Sequence, residues 1–317
     1  MTLLSKENRL MKRFEYQEAR TVRQAVSMLQ RFGDSARIVA GSTDFLVRWR
    51  QGLWNPEYVI NIQRVAGLGR ITYSAKNGLR IGALVTVREL EQHPVVRRRY
   101  PALATAAASF AGVQVRNLAT VGGNICNASP SGDTIPVLLV FGAECRIAGP
   151  GGDRWITLDQ FFKGPGQTVL ETGELLAEIR IPAPARNTGS HYIKHSPRGA
   201  MDIATVGVAS LVTLEGRNGS ASDVRIALGA VAPTPVRAYS AEAILRGKDI
   251  SHELMQSAAA AAQGGVSPID DIRGSAVHRK EMVGVLTRRT LEQAWDSAAK
   301  GPLNFEEQRR LTVQASF

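Results

Sequence analysis

Two stretches of this chain carry side chains that a packed core would hardly select together. The first runs Phe110-Ala-Gly-Val-Gln-Val-Arg-Asn-Leu-Ala-Thr-Val-Gly-Gly-Asn-Ile-Cys-Asn-Ala-Ser-Pro-Ser-Gly-Asp133. It gathers Thr120, Gly122, Gly123, Asn124, Asn127, Ser129, Ser131 and Asp133 between an Ala-rich helical run and the apolar run Ile135 to Phe141. The second is Gly41-Ser-Thr-Asp44, set between the apolar run Arg37-Ile-Val-Ala40 and the helical pattern Phe45, Leu46, Trp49. Small residues let a ligand approach the backbone, and consecutive N–H groups at a turn or helix start can converge on an anion. The chemistry this suits is the binding of a phosphate-bearing cofactor, with a diphosphate held between two such loops. The plain reading is a two-glycine turn and an N-capped helix, and the residues alone do not choose between these.

Other chemistry is missing. The chain has no G-x-G-x-x-G, no G-x-x-x-x-G-K-[ST], no H-E-x-x-H and no G-x-S-x-G, so a Rossmann site, a P-loop, a zincin helix and a nucleophile elbow lack support. The histidines are His93, His191, His195, His252 and His278. Only His191 and His195 are near in sequence, on a strand candidate, and they read as core or surface residues. The two cysteines, Cys126 and Cys145, rule out a disulfide framework and a four-cysteine iron–sulfur or zinc site within this chain. Neither has an obvious activating neighbour.

The elements that must position these loops come next. The chain has 317 residues, 44% hydrophobic and 21% charged, room for two or three domains with a substantial core. No apolar run reaches the roughly 18 residues of a membrane span, and Met1 to Leu10 has no apolar signal-peptide region, so a reducing cytoplasm is expected. The net charge of +11 comes from scattered short groups such as Arg97-Arg-Arg99 and Arg288-Arg289, without interleaved aromatics. That pattern argues against nucleic-acid binding and fits a solvated surface.

Strands are expected at Phe14–Tyr16, Arg37–Ala40, Tyr58–Ile62, Gly69–Tyr73, Leu79–Ala83, Ala143–Ala148 and Leu175–Ile181. Helices are expected from Thr21 to Gly33, over Val87–Gln92, over Val95–Phe110 and over Asp133–Phe141. Ala183 to Gly189, rich in proline and glycine, marks a domain boundary. After it come three strands, His191–His195, Ala204–Leu214 and Ala221–Val231, then helices Ala241–Arg246, Ser251–Gln263 and Ser275–Ala298. The order predicts an α+β protein, not a doubly wound sheet.

With those residues in place, the chain resembles the FAD-binding (medium) subunit of the molybdenum hydroxylases, the family of xanthine dehydrogenase and carbon monoxide dehydrogenase. The resemblance spans Met11 to about Ala298. It rests on Ile38-Val-Ala-Gly-Ser-Thr-Asp-Phe45, on Ile81-Gly-Ala-Leu-Val-Thr86, on Thr120-Val-Gly-Gly-Asn124 with Ala128-Ser-Pro-Ser-Gly-Asp133, and on Asp271-Ile-Arg-Gly-Ser-Ala276 with His278-Arg279 and Val285-Leu-Thr-Arg-Arg289.

That resemblance implies a PCMH-type FAD-binding domain of two α+β subdomains over residues 11–185. A smaller α+β domain with a three-stranded antiparallel sheet follows over 190–300, between a 1–10 extension and a 301–317 tail. It implies that Ala40, Gly41, Ser42, Thr43 and Asp44 line the FAD diphosphate, with Ile38, Val39 and Phe45 also binding the cofactor. Thr120, Gly122, Gly123 and Asn124 contribute from the other loop. Phe110 and Leu176 pack near the cofactor, Asp133 bonds an FAD hydroxyl, Lys194 lies near the isoalloxazine, and Tyr192 either covers a ring face or is an ordinary packed aromatic. No residue is assigned a catalytic role, since the flavin carries the redox chemistry, and no metal or iron–sulfur site is expected in this chain. Ser42 stands where the family often has a second glycine. The implied activity is electron transfer from [2Fe–2S] clusters of a small subunit, fed by a molybdenum large subunit in a heterotrimer able to dimerise, to NAD, a quinone, oxygen or a carrier. Two alternatives stand beside it: a self-contained flavin oxidoreductase of the same fold, and a non-catalytic assembly subunit.

Overall fold

The computed structural model describes residues 13–198, 201–216, 219–301 and 303–315. The expected 1–10 extension lies outside them. In chain order the elements are β1 (Glu15–Glu18), α1 (Val22–Phe32), β2 (Ala36–Val39), α2 (Phe45–Arg50), β3 (Tyr58–Asn61), β4 (Ile71–Ser74) and β5 (Gly78–Gly82). Five short helices follow: α3 (Val87–Gln92), α4 (Pro94–Arg99), α5 (Pro101–Ser109), α6 (Val113–Arg116) and α7 (Val121–Cys126). Then come α8 (Ile135–Val140), β6 (Glu144–Gly149), β7 (Gly152–Thr157), β8 (Phe162–Gly164), β9 (Gln167–Thr168) and β10 (Leu175–Ile181). The last part holds β11 (Thr188–His195), β12 (Val206–Leu214), β13 (Ala221–Gly229), β14 (Val236–Arg237), α9 (Tyr239–Leu245), α10 (His252–Gly264), α11 (Ala276–Lys300) and α12 (Phe305–Ala315).

Three larger sheets and the two-stranded hairpin β8-β9 organise these elements. A parallel sheet has the order β1-β3-β2, a five-stranded antiparallel sheet β4-β5-β10-β6-β7, and a C-terminal antiparallel sheet β11-β12-β13-β14. The helix starts obey local chemistry. Thr21 Oγ1 accepts from Gln24 N at 3.1 Å to cap α1, and Thr86 with Glu89 forms a reciprocal capping box on α3.

Several expected elements are redrawn. The single helix Val95–Phe110 is two, because Pro101 forces Tyr100 out of the helical region, to φ −133 and ψ 52. β7 to β9 were not foreseen, since exposed hairpins with the pattern Gly-Asp-Arg-Trp-Ile-Thr lack an apolar alternation. The C-terminal sheet has a fourth short strand, β14. The segment after 300 is no loose tail over its described part. It contains α12, where buried Phe305, Gln308 and Thr312 pack back on the body. Gln308 Nε2 donates to Ser190 O at 2.8 Å, and Thr312 Oγ1 donates to Tyr192 O at 2.8 Å.

Two large cores result. One gathers β5, β6, β10, α5 and α8 around Ile81, Leu103, Leu138 and Ile147. The other lies between the C-terminal sheet and α10 and α11. Strand β11 is covered on both sides, and its alternation sends Tyr192 to the first core and Ile193 to the second. Among the described residues no helix is long and apolar enough to cross a membrane.

Candidate functional site

The parallel sheet ends in a turn that points its backbone into a cleft. β2 stops at Val39, Ser42 takes a left-handed φ of 59°, and α2 begins at Phe45. Through this turn the N–H groups of Gly41, Ser42, Thr43 and Asp44 donate to no acceptor among the described residues. A run of unpaired amides beside a left-handed residue is an anion-binding concavity. Its partner surface is α7. Thr120 Oγ1 caps α7 by accepting from Gly123 N at 3.0 Å. Here the amides are already used: Val121 N donates to Val85 O, Gly122 N to Ala83 O and Asn124 N to Thr120 O. The first loop therefore offers the donors, and the second offers a floor of small atoms.

The two loops touch. A Cβ on Gly41 would lie 1.9 Å from the carbonyl oxygen of Leu118, and one on Gly122 would lie 2.6 Å from Ala83 Cβ and 2.7 Å from Ala83 O. Both glycines are required by backbone packing. Gly123 differs, because its Cβ would meet only Thr120 Oγ1 at 2.8 Å and otherwise opens into the cleft. Asn127 latches the loops, donating from Nδ2 to Asp44 Oδ1 at 3.1 Å and accepting at Oδ1 from Arg48 Nη2 at 2.8 Å. The Arg48 guanidinium also sits 4.6 Å over the Trp54 ring.

The cleft encloses about 980 Å³ measured out to solvent. Of the residues expected to contact a cofactor, it brings together Ile38, Val39, Ala40, Gly41, Ser42, Thr43, Asp44, Phe45, Phe110, Thr120, Gly122, Gly123, Asn124 and Leu176. Sequence reasoning missed Trp54, Ile62, Leu170, Glu174 and Leu175 as lining residues. Ala119, Cys126 and Asn127 also line it and fall inside the Phe110–Asp133 stretch already singled out, as Ala83 and Leu84 fall inside Ile81–Thr86. Trp54, Leu170 and Glu174 come from remote loops that bear no local signal. Glu174 is bound to Arg154 at 2.8 Å, and that guanidinium holds its carboxyl below the usual range. Burial pushes the Cys126 thiol up to about 12, so it is no thiolate.

Asp133, Tyr192 and Lys194, also expected at the cofactor, are brought together as a buried network that is not part of the cleft lining. Lys194 Nζ lies 2.9 Å from Asp133 Oδ2 and donates to Ser109 O at 3.0 Å, and the Tyr192 hydroxyl donates to Asp133 Oδ1 at 3.4 Å. Both Asp133 oxygens are thus engaged within the protein. The Tyr192 side chain is fully buried in the first core. Burial raises the Asp133 carboxyl to about 6 against the opposing pull of Lys194. The network reaches the cleft indirectly, because Ser109 precedes Phe110 in the wall.

That wall has a second brace. Ala111 has φ 41°, a left-handed conformation that a non-glycine residue holds only when its surroundings impose it. Arg116 Nη1 donates to Phe110 O at 2.9 Å and Ala111 O at 2.8 Å, while its Nε donates to Glu91 Oε2 at 2.9 Å. Both side chains of this ion pair are buried. In the C-terminal domain, the Asp271–Ala276 signature is a staple. Buried Arg279 donates to Thr205 O, Ala230 O and Asp271 Oδ1, tying α11 to the turns beyond β11 and β13.

The parallel sheet with its open-amide turn, the small-residue floor and the extended cleft define a binding module for a phosphate-bearing cofactor. Residues 12–184 match the FAD binding domain in molybdopterin dehydrogenase, and residues 191–294 match the CO dehydrogenase flavoprotein C-terminal domain. The chain belongs to the FAD-binding flavoprotein subunits of the molybdenum hydroxylase family. It is 36% identical over 287 residues to the carbon monoxide dehydrogenase medium chain of Hydrogenophaga pseudoflava, covering 90% of this chain and 99% of that one. It is 33% identical over 289 residues to the xanthine dehydrogenase FAD-binding subunit of Escherichia coli O157:H7, covering 91% and 98%. Among solved structures, carbon monoxide dehydrogenase from Hydrogenophaga pseudoflava superposes with a TM-score of 0.86 at 38% identity, covering 90% of this chain and 98% of that one. Quinoline 2-oxidoreductase from Pseudomonas putida 86 gives 0.84 at 30% identity, covering 92% and 99%. The protein is accordingly an FAD-dependent oxidoreductase subunit.

Proposed function

We propose that this chain holds FAD in the cleft and serves as the electron-transfer subunit of a molybdenum-containing dehydrogenase. It takes electrons from [2Fe–2S] clusters of a small partner and delivers them to an external acceptor such as NAD, a quinone, oxygen or a carrier. The names of its relatives support the assembly: several are medium chains of larger enzymes. The reading includes a molybdenum large subunit, a heterotrimer able to dimerise and a cytoplasmic setting.

The observation that carries the reading is the run of four unpaired amides, Gly41 to Asp44, facing a glycine floor across one cleft. The residues fit the cofactor. The free N–H groups suit the charge of a diphosphate, which no nearby lysine or arginine of the cleft lining supplies. Gly123 leaves open the space that a side chain would fill. The apolar walls of Ile38, Phe45, Phe110 and Leu176 suit flat rings. Bound there, FAD supplies reversible transfer of electrons. The protein's own part is to orient the cofactor. Arg116 fixes the Phe110 wall, Asn127 latches the two loops, and the Lys194–Asp133 pair joins Ser109 to the C-terminal sheet.

The test is the visible spectrum of the purified chain, with the released cofactor identified. Flavin bands and FAD are expected. A colourless chain that FAD cannot reconstitute would overturn the reading. Co-expression with molybdenum and iron–sulfur partners separates a dependent subunit from a self-contained enzyme, because only the latter turns over alone.

A further inference from the structure

We propose that His195 and His278 form a binding site for a borderline divalent metal ion, of the class of Zn²⁺ and Ni²⁺, on the outer side of the C-terminal domain. The two residues lie far apart in sequence and meet where the end of β11 reaches the first turn of α11. Their Nε2 atoms are 3.4 Å apart. Without an ion, one imidazole tautomer can donate a long hydrogen bond to the other across this gap. A metal fits the same spacing. Two imidazole nitrogens at about 2.1 Å from one tetrahedral ion stand about 3.4 Å apart.

The ring positions agree. The centroids are 5.5 Å apart with planes inclined by 56°. Rings whose Nε2 lone pairs converge on a single ion have centroids about 5.3 Å apart, and rings meeting apex to apex along one line about 5.7 Å. The observed value falls between the two. The nitrogen apices therefore face each other, and a small rotation brings both onto one ion. Side-by-side stacking would have carried the nitrogens away from a common point.

The backbone around the pair is fixed. Thr205 N donates to His195 O at 2.9 Å, and Ser275 Oγ caps α11 by accepting from His278 N at 3.2 Å. His278 is exposed and His195 is half-buried, so an ion has access from solvent. Two carboxylates on the adjoining turns are committed elsewhere. Asp271 binds Arg273 and Arg279, and Asp202 binds Arg198. Among the described residues no group of three or more metal-ligating side chains occurs. The site therefore has two protein ligands, with water completing the shell, and it loads and unloads with the free ion concentration. Imidazole pairs favour zinc, nickel and copper over magnesium or calcium. An ion here links β11 to α11 across the turn that follows Lys194.

The site is separate from the flavin cleft, so its test does not depend on FAD. The untagged full chain, stripped with EDTA and dialysed, is titrated calorimetrically with Zn²⁺ and with Ni²⁺. Saturable binding of a single ion per chain is expected, with a rise in melting temperature. Both effects are lost in His195→Gln and in His278→Gln and kept in His252→Gln. Absence of saturable binding in the wild type, or binding that survives both substitutions, overturns the proposal. Should either variant fail to fold, the wild type loaded with Cu²⁺ decides by electron paramagnetic resonance. Splitting from two imidazole nitrogens supports the pair, and splitting from one or none overturns it.

Discussion

Gly122 and Gly123 are neighbours in sequence, yet substitution should affect them in opposite ways. At Gly123 an added Cβ meets Thr120 Oγ1 at 2.8 Å and nothing else within 4 Å. The worst structural outcome of Gly123→Val is loss of the α7 cap, about 1 kcal/mol, which lowers the melting temperature of a domain this size by about 2–4 °C. The cofactor should suffer far more. A branched side chain on the cleft floor pushes the ligand off the Gly41–Asp44 amides. Each hydrogen bond to a charged group is worth about 1.5–3 kcal/mol, so losing two weakens FAD binding by about 3 kcal/mol or more, a factor above 100. Gly122→Val instead drives its Cβ into Ala83 Cβ and Ala83 O, so the seam between β5 and α7 opens and folding fails. The assay compares bound flavin per chain and the melting temperature of apoprotein for both variants. Gly123→Val with unchanged FAD content, or Gly122→Val with native stability, would refute this division of roles.

Further outcomes follow from the same contacts. Gly41→Ala should fail to give stable protein, because its Cβ would fall 1.9 Å from Leu118 O; solubility and circular dichroism check this. Asn127→Ala releases both Asp44 and Arg48 and should weaken FAD binding about fivefold to tenfold, on the order of one hydrogen bond, read by flavin titration of apoprotein. Lys194→Met leaves Asp133 buried without its cation and should cost about 3–5 kcal/mol, while adding Asp133→Asn should recover part of that loss in urea unfolding. His191 is fully buried with both ring nitrogens unpartnered, and burial pushes it down to about 4 from 6.5. Below 6.5 the unfolded chain takes up a proton that the folded chain refuses, so this residue's contribution falls by about 3 kcal/mol between pH 7.5 and pH 4. His191→Leu should flatten that limb, and equal acid losses in wild type and variant would exclude His191 as its cause. Asp133, raised to about 6, has the opposite slope. The folded state holds its proton more tightly, so stability falls as pH rises from about 4 to 6, which makes the difference between wild type and variant the quantity to measure.

Much of the frame was legible because it is written locally. Thr21, Thr86 and Gly33 mark helix ends by their own chemistry, and the apolar runs of β3, β5 and β10 bury as their sequences suggest. The two glycine-bearing turns were legible as a pair of candidate loops. Their contact was not, since the meeting of Gly41 with Leu118 is a long-range backbone approach without any local pattern. Nor was the asymmetry between them. Which amides are free depends on Ala83 and Val85 offering carbonyls to α7 while, among the described residues, no carbonyl accepts from Gly41–Asp44. The partner of Asp133 was hidden for a related reason. Nothing in the polar stretch before it points to the cation that pairs with it, 61 positions away on β11.

That cation also explains why the C-terminal domain belongs to the site although none of its residues lines the cleft. Ser109 O and Asp133 both lie on the FAD-binding side, and Lys194 joins them from β11. Tyr192, on the same face of the strand, fills the first core and adds its hydroxyl to Asp133. α12 then closes over this strand by bonding to the carbonyls of Ser190 and Tyr192. Behind them, Arg225 of β13 donates to Val140 O at the end of α8. The Phe110 wall is thus braced from two directions, by Arg116 within its own domain and by Lys194 from the other. Removing the C-terminal domain would strip Asp133 of both its Lys194 and Tyr192 partners and leave Ser109 without its ammonium donor. A truncated FAD-binding domain should therefore lose rigidity first at Phe110, where the cleft meets the domain interface, while Gly41–Asp44 on the far loop keeps its own local support from β2 and α2.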